Sequence, residues 1–380
     1  MVYGSRAVNG TPRAFFLYRD SALRREALGL PSGAPARYSL FGFDELATNG
    51  FSVRHNLERK PGGGARVVGR VLDRTVRLAG GYSGDFRSVV SVRRALNASD
   101  VVFSTVDTVG IPLVLLARAR MVRAPIVYVA IGLPERIEQL SPRIADVYRD
   151  NYRRLAAIIA YGAGEVVALR SWLGEQGPPV HFVPFGVDTD LFRPLPETPA
   201  ETDVVSVGSD PRRDFSLLLA LAERRPTWSF RIVASREHLS ALARSPANVT
   251  VELDLPFDQA QARLAAGRVV VLPVRDNTYS GATTTLLQAM ARAKPVVVSR
   301  TAAIAEGYHL EDGRNCRLVP PGGLAALERA VSDLVSDPER AASVGARARE
   351  TVERHLTWRR YTDTIRELLL TACGRTTVSA

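Results

Sequence analysis

The sequence is poor in cysteine, in lysine and in long apolar runs. Only two of its 380 residues are cysteines, Cys316 and Cys373, and neither has a second cysteine or a paired histidine nearby. This argues against a disulfide framework or a structural zinc site and is typical of a reducing compartment. No run of about 18 apolar residues is present, which argues against a membrane-spanning helix. The first residues lack the apolar core of an export signal, so we expect a cytoplasmic protein.

Positive charge is the main excess in the composition. The chain carries 50 Lys and Arg against 39 Asp and Glu, a formal net charge of +11, and Lys60 and Lys294 are its only lysines. Residues 51–100 alone hold ten basic residues against four acidic ones. Such a surplus attracts nucleic acid, anionic lipid or a phosphorylated substrate, so charge by itself does not choose among these partners.

Short apolar runs rich in β-branched residues alternate with stretches of helical period along the whole chain. We predict strands at Ala14–Tyr18, Phe51–Arg54, Val101–Ser104, Ile126–Val129, Ala157–Ala160 and His181–Val183, and then at Val204–Val207, Ser229–Val233, Val249–Glu252, Val269–Leu272 and Val296–Ser299. Alternation of this kind predicts parallel sheets with helices on both faces. The length suits two domains. We therefore expect an α/β protein with two Rossmann-like, doubly wound parallel-sheet domains facing a cleft.

A proline-bearing stretch, LPETP at 195–199, marks the boundary between the two sets of strands. We predict an N-terminal domain at 1–185, a hinge at 186–200, a second domain at 201–356 and a last helix within 357–380 that returns towards the first domain. Ligands of open parallel sheets bind outside the carboxyl ends of the strands. Functional residues are therefore expected in the loops that follow strands.

The polar loop after Val269–Leu272 leads into a helix that we predict to begin at Leu286. The start of a helix presents unpaired backbone N–H groups, and its dipole favours an anion there. Gly281 allows the backbone to approach a ligand closely, and Thr283 and Thr284 can cap the helix or donate to phosphate. A capped helix start without any ligand has the same local pattern, so the loop must be interpreted with its surroundings.

The surrounding sequence is more specific. Residues 280–323, SGATTTLLQAMARAKPVVVSRTAAIAEGYHLEDGRNCRLVPPGG, resemble the donor-site signature of retaining GT-B glycosyltransferases, particularly family 4, and residues 184–194, PFGVDTDLFRP, resemble that family's hinge segment. The resemblance covers most of residues 180–370. It implies an enzyme that moves a sugar from a nucleoside-diphosphate sugar to an acceptor, with retention of configuration. Because the helix start and nearby arginines would stabilise the leaving diphosphate, we expect no metal or other cofactor.

The resemblance also assigns roles within this segment. Ser280 and Gln288 stand where the family has two glutamates eight positions apart, the first contacting the donor sugar and the second the ribose hydroxyls. Gln288 can still hydrogen-bond to a ribose, whereas Ser280 is too short to reproduce the reach of a glutamate. The backbone N–H groups of Ala282 and Thr283 are expected to face the sugar and its diphosphate.

Basic residues follow the first strand of the second domain. Gly208, Arg212 and Arg213 come after Val204–Val207, where the family has a glycine and then basic residues that neutralise the leaving diphosphate. The resemblance places Arg213 at the family's lysine and lets Arg212 replace an arginine nearer the glycine. Guanidinium groups bind phosphate in a bidentate manner. The alternative is a solvated arginine pair at a helix start.

Weaker candidates lie elsewhere. Asp107, after Val101–Ser104, is a candidate contact for the acceptor or a helix cap, and Glu135 offers the same choice. Asp188–Asp190 has the D-x-D spacing of metal-binding glycosyltransferases, but we interpret it as a capped turn and expect no metal site. Ile131 replaces a histidine that family members often direct at the sugar.

A basic amphipathic helix is predicted over Ala65–Leu78. Its arginines share one face, opposite an apolar group: Arg66, Arg70, Arg74 and Arg77 against Val67, Val68, Val71 and Leu72. Both a membrane-surface helix and a helix packed on its own domain with solvated arginines have this pattern. The expected partners are therefore a nucleotide-sugar donor, an unidentified acceptor and, through residues 65–78, an anionic membrane at its inner surface. No aromatic stacking platform accompanies the charge, so nucleic acid is not expected.

Two other functions fit the same fold. A GT-B-like sugar-nucleotide epimerase needs acid and base side chains around the sugar, and the sequence does not identify them. A non-catalytic partner subunit of a glycosyltransferase would explain why both family glutamates are missing. Binding and turnover of nucleotide sugars distinguish the three functions.

Overall fold

The computed structural model describes residues 10–195, 200–279 and 281–375. In these residues two sheets of six parallel strands are flanked by helices. The first sheet contains β1 (Arg13–Leu17), β2 (Ser52–His55), β3 (Val101–Ser104), β4 (Ile126–Ala130), β5 (Ala157–Ala160) and β6 (Val180–Phe182). The second contains β7 (Thr202–Val207), β8 (Phe230–Ala234), β9 (Val249–Leu253), β10 (Gly267–Leu272), β11 (Val296–Ser299) and β12 (Arg317–Val319). The predicted α/β class with two doubly wound, Rossmann-like sheets is confirmed.

Helices connect most of the strands. The helices are α1 (Ala22–Gly29), α2 (Phe43–Thr48), α3 (Gly63–Leu78), α4 (Phe86–Ser91), α5 (Arg93–Asn97), α6 (Asp107–Arg118), α7 (Leu133–Ile137), α8 (Pro142–Tyr152), α9 (Ala163–Leu173), α10 (Phe215–Arg224), α11 (Leu239–Leu242), α12 (Phe257–Ala265), α13 (Thr283–Ala291), α14 (Leu324–Ser336), α15 (Pro338–His355) and α16 (Trp358–Ala372). Short 3₁₀ turns occupy Pro35–Leu40 and Arg236–His238. None of the helices in the described ranges is long and apolar enough to cross a membrane.

The strand order in each sheet places the functional loops. The orders are β2-β1-β3-β4-β5-β6 and β12-β11-β10-β7-β8-β9. In both sheets the first strands are added on one side of the first strand, and the later strands are added on its other side. The strand order therefore reverses beside the first strand of each sheet. The carboxyl ends at this switch point are where open α/β sheets bind ligands. In the second sheet that position lies between β7 and β10.

The central strands β3, β4 and β5 are almost wholly apolar because helices cover both faces. All residues of β3, β4 and β5 are buried, as are Val269–Leu272 in β10. The chain divides into two compact units, each with its own core. The first includes Glu165–Val183 and the chain from Thr362, and the second includes Gly162–Gly164 and Pro184–Tyr361.

Two local features add to the predictions. The structure has a further short strand, β12. Helix α13 begins at Thr283, nearly one turn before the predicted start at Leu286. The threonines of the loop are therefore the first turn of the helix itself. Residues 196–199 of the predicted hinge lie outside the described residues.

Candidate functional site

The loops after β7 and β10 are joined by backbone hydrogen bonds at the switch point of the second sheet. Arg213 and Val274 form an isolated antiparallel bridge. Beside it, the Asp214 N–H donates to the Pro273 carbonyl at 2.9 Å, and the Arg275 N–H donates to the Arg212 carbonyl at 2.8 Å. The two loops therefore form one surface, and the residues predicted in each of them are brought to the same sheet edge.

Arg213 is the most unusual side chain of this surface. It is 2 % exposed, and one terminal nitrogen donates to the Val207 carbonyl and lies 3.5 Å from the Ser206 hydroxyl. Its Nε and Nη1 are buried and find no hydrogen-bond partner among the described residues. Burial lowers the pKa of Arg213 to about 10, so the group is still charged at neutral pH. A buried cation with unpaired donors is costly unless an anion completes its shell.

The backbone at Gly208 makes room for this guanidinium. A Cβ atom at Gly208 would lie 2.7 Å from Nε of Arg213 and 2.8 Å from a terminal nitrogen. Since the arginine is enclosed, a larger residue at this position would have to displace it. Gly208 therefore acts through close approach, in agreement with its predicted place beside the basic residues.

Asp210 links the arginine loop to the loop that precedes α13. Its Oδ1 accepts the Arg212 N–H at 2.7 Å and the Tyr279 hydroxyl at 3.3 Å. A Cβ atom at Gly281 would lie 3.4 Å from the same oxygen. The negative charge of Asp210 also counteracts the desolvation of Arg213. Asp210 and Tyr279 thus hold the two loops in register, a role that the sequence pattern did not single out.

Helix α13 begins at this surface with a strained residue. Ala282 has φ 64, in the left-handed region, and makes no side-chain cap. Thr283 is buried at 2 % exposure, whereas Thr284 is exposed. Ser280, predicted to contact the donor, lies outside the described residues. The first-turn N–H groups of α13 begin beside the loop that carries Arg213, as the sequence led us to expect of an anion site.

Gln288 is turned towards another helix. Its Oε1 accepts a hydrogen bond from Nε2 of Gln261 in α12 at 2.8 Å, and Gln288 is 4 % exposed while Gln261 is 7 % exposed. The side-chain oxygen of Gln288 thus already has one partner within the protein, and its contact with a ribose stays a prediction.

Asp107, predicted to contact the acceptor or cap a helix, is enclosed by its own domain. It is 0 % exposed and accepts the Tyr128 hydroxyl at 2.6 Å and the Ile131 N–H at 3.3 Å. The Arg136 guanidinium lies 3.5 Å away. Burial raises the pKa of Asp107 to about 6, against the opposing effect of Arg136 and the hydrogen bonds. In the structure Asp107 anchors the loop after β4, and its contact with an acceptor stays a prediction.

Glu165 anchors the same loop from α9. Its Oε1 accepts the Gly132 N–H at 2.6 Å and the Leu133 N–H at 3.2 Å, which are the first N–H groups of α7. It is fully buried, and burial, with a further contribution from nearby Asp107, raises its pKa well above the ordinary value. No sequence pattern singled out Glu165. The signal available was a glutamate in the first turn of α9 that is followed directly by four apolar residues, 166–169.

The remaining predicted residues lie in a turn and at a helix start. Asp188 Oδ1 accepts the N–H groups of Asp190 at 3.0 Å and Leu191 at 2.9 Å, which confirms the capped turn. Glu135 is half-buried in the first turn of α7. In the part of the chain that the structure describes, no three His, Cys, Asp or Glu side chains come together in a metal-binding arrangement.

The two-sheet architecture matches solved structures over nearly the whole chain. Sucrose-phosphate synthase from Thermosynechococcus elongatus superposes with a TM-score of 0.72 at 16% identity, covering 96% of this chain and 99% of that one. The Anabaena protein HepE, solved with UDP-glucose, gives a TM-score of 0.68 at 16% identity, over 94% and 99% of the two chains. These likenesses show that the chain has the two-domain GT-B fold.

Sequence comparison agrees with this class. Residues 205–337 match the family model described as glycosyl transferases group 1. An MMP α-(1→4)-mannosyltransferase of Mycolicibacterium hassiacum is 26% identical over 306 residues, 75% of this chain and 70% of the relative. A GDP-mannose-dependent α-(1-6)-phosphatidylinositol monomannoside mannosyltransferase of Mycolicibacterium smegmatis is 29% identical over 212 residues, 49% of this chain and 55% of the relative. The chain is an enzyme of the glycosyltransferase class, as its C-terminal signature predicted.

Proposed function

We propose that this glycosyltransferase moves a sugar from a nucleoside-diphosphate sugar to an acceptor hydroxyl, with retention of configuration and without a metal ion. The observation that carries the proposal is Arg213, a buried cation with two unpartnered nitrogens beside the start of α13. A diphosphate supplies the anionic oxygens that such donors require. A nucleoside diphosphate is the leaving group of a sugar nucleotide. The contacts that bind the diphosphate would therefore also stabilise the leaving group during the reaction.

The chemistry follows from where charge develops. As the bond between sugar and diphosphate breaks, negative charge grows on the leaving phosphate oxygen. The Arg213 guanidinium and the N–H groups at the start of α13 stabilise that charge more strongly in the transition state than in the ground state, because they are fixed before the reaction begins. Arg212 and the backbone at Gly281 complete the phosphate contacts in this proposal, and no metal ion is needed as a counter-charge.

Donor identity is best approached through the relatives. Both curated relatives are mannosyltransferases, and one is named as GDP-mannose-dependent, whereas a structural neighbour was solved with UDP-glucose. We place GDP-mannose first and UDP-glucose second. The acceptor in the proposal is a glycan, a lipid-linked glycan or a secondary metabolite.

The test is calorimetric titration of the purified chain with GDP, UDP and dTDP, followed by assays of nucleotide release from the matching sugar nucleotides in the presence of EDTA. Binding of one nucleotide with release in EDTA is expected. Absence of binding by every nucleotide to a folded chain would overturn the proposal, and binding without release on any acceptor would favour a non-catalytic partner subunit. The anomeric signal of the product by NMR tests retention.

We also propose that the enzyme works in the cytoplasm against the inner surface of an anionic membrane, through the basic residues of segment 65–78. The support is charge: Arg66, Arg70 and Arg74 are all exposed on α3, and juxtaposed arginines attract acidic lipid headgroups by about 1 kcal/mol each. Salt-sensitive sedimentation with anionic vesicles, and not with zwitterionic ones, is the expected result.

A further inference from the structure

Helix α3 has three faces where the sequence predicted two. Leu72 and Val76 pack on the core of the first unit, and Ala65 and Gly69 lie on the same side, spaced four, three and four residues apart. At Gly69 the contact with α4 is so close that a Cβ atom would lie 2.7 Å from Cα of Arg87. These four residues, and not the valines expected to face the domain, attach α3 to the protein.

The opposite face of α3 is apolar and exposed. Val67 is 61% exposed, Val71 59% and Leu78 79%. Together with Arg74, these residues have the same spacing as the four packed residues, but each stands two positions later in the chain. Two residues turn an α-helix by about 200°, so this face points away from the domain. We call Val67, Val71 and Leu78 the outer ridge. Three large apolar side chains aligned on one exposed helix are unusual for a surface that meets only water.

Arginine borders the outer ridge on one side. Arg66, Arg70 and Arg77 follow each other along one flank of the helix, and Arg74 lies between that flank and the ridge. Asp73 is the one acidic residue of α3, and it pairs with Arg77. An apolar line beside a row of cations is complementary to the boundary between acyl chains and anionic headgroups. A protein partner would have to present both an apolar groove and a parallel acidic row.

We infer that α3 inserts its outer ridge into an anionic bilayer, lying parallel to the surface with the arginines on the lipid phosphates. This inference rests on the proposed membrane contact and adds its mode: apolar insertion in addition to adsorption by charge. The packed face of α3 is not used, so the helix can enter the interface without leaving its domain.

Sedimentation with vesicles of phosphatidylglycerol and phosphatidylcholine tests the two components separately. Replacing the ridge by serine, as Val67→Ser, Val71→Ser and Leu78→Ser together, should weaken binding at least about tenfold, because the apolar area that leaves water is lost. Replacing Arg66, Arg70 and Arg74 by glutamine should weaken it about 100-fold at low salt. The matched control is Val147→Ser with Val167→Ser, two valines of the same unit that lie outside α3 and are 52% and 69% exposed; this variant should bind as the parent does.

The depth to which the outer ridge enters the bilayer is measured by the fluorescence of a tryptophan placed in the ridge. Val71→Trp should shift its emission to shorter wavelength on anionic vesicles and be quenched by brominated acyl chains, whereas Val167→Trp should do neither. If the parent chain does not bind anionic vesicles at all, the membrane contact itself is wrong. If it binds but the ridge variants bind equally and Val71→Trp stays in water, the contact is by charge alone and the inference fails. Loss of a dimer in the ridge variants, by sedimentation equilibrium, would assign the ridge to a second copy and also overturn it.

Discussion

Each unit has a helix that begins after a residue in the left-handed conformation, but the side chains near the two helix starts differ in charge. Gly132 before α7 has φ 78 and Ala282 before α13 has φ 64, so each helix leaves a strand end through a left-handed residue without a side-chain cap. In the first unit Glu165 of the protein itself accepts the first N–H groups. In the second, the nearby charged group is Arg213, a cation with two unpartnered nitrogens, Nε and Nη1. The first helix start is closed by a carboxyl group of the protein itself, whereas in our proposal the second receives an external anion.

The largest effect is expected at Asp107, the second buried carboxyl that anchors the loop between β4 and α7. Asp107→Ala leaves the Tyr128 hydroxyl, the Ile131 N–H and Arg136 without their buried acceptor, and should lower the free energy of unfolding by about 3–5 kcal/mol. Urea unfolding measures this loss. Asp107→Asn keeps an acceptor oxygen and should lose far less. A stable Asp107→Ala protein that has lost only turnover would support the interpretation of Asp107 as an acceptor contact.

Arg213→Met should act in the opposite sense on stability. It removes a buried charge with unsatisfied donors, so the melting temperature without nucleotide should not fall and is expected to rise. Nucleoside-diphosphate binding should weaken by about 1.5–3 kcal/mol, about 10- to 100-fold, since a charge-assisted hydrogen bond is lost. Calorimetry with and without the nucleotide gives both numbers. Arg212→Met, on a half-buried neighbour, is the control and should weaken binding less; equal binding by Arg213→Met and the parent would remove Arg213 from the site.

The buried carboxyl also predicts a pH dependence. Asp107 has its pKa raised to about 6 in the folded protein, above its value in an unfolded chain, so the folded state holds the proton more tightly. Its contribution to stability is therefore present at low pH and is lost as the pH rises from about 4 to about 6. The melting temperature of the parent relative to Asp107→Asn should fall by several degrees across that window. A difference between the two proteins that does not change with pH would show that Asp107 titrates normally.

The smallest effect concerns the two left-handed residues. Ala282→Gly relieves a conformation that disfavours a side chain and should raise the free energy of unfolding by about 0.5 kcal/mol, whereas Gly132→Ala introduces the same conflict and should lower it by about 1 kcal/mol. Urea midpoints of the two variants are the measurement. Effects of the same sign at the two positions would contradict the parallel between the helix starts.

The fold could be predicted from the sequence because its signal is repeated. Strands such as β3, β5 and β11 were placed at their observed bounds, since they are continuous apolar runs in fully covered sheets. β12 was missed because it is only three residues long and includes Arg317.

The position of the candidate site in the chain could be predicted, but the hydrogen-bond partners of its side chains could not. Gly208, Arg213 and Gly281 could be located from spacing and resemblance, and the structure brings their loops together. That Gln288 bonds to Gln261, or that Asp210 receives Tyr279, depends on side chains from distant parts of the sequence that no local pattern connects. The packing of α3 could not be predicted for the same reason. Helical period divided its residues into two faces, but it did not show which residues would contact α4.

The unpartnered nitrogens of Arg213 also bear on how long the enzyme persists. A ligand that binds only the folded state stabilises it in proportion to the logarithm of its concentration. Since a diphosphate would relieve the least favourable buried group of the second unit, we expect that unit to resist proteases best when sugar nucleotide is abundant. The amount of enzyme in a cell would then follow the supply of its own donor, without any dedicated regulator.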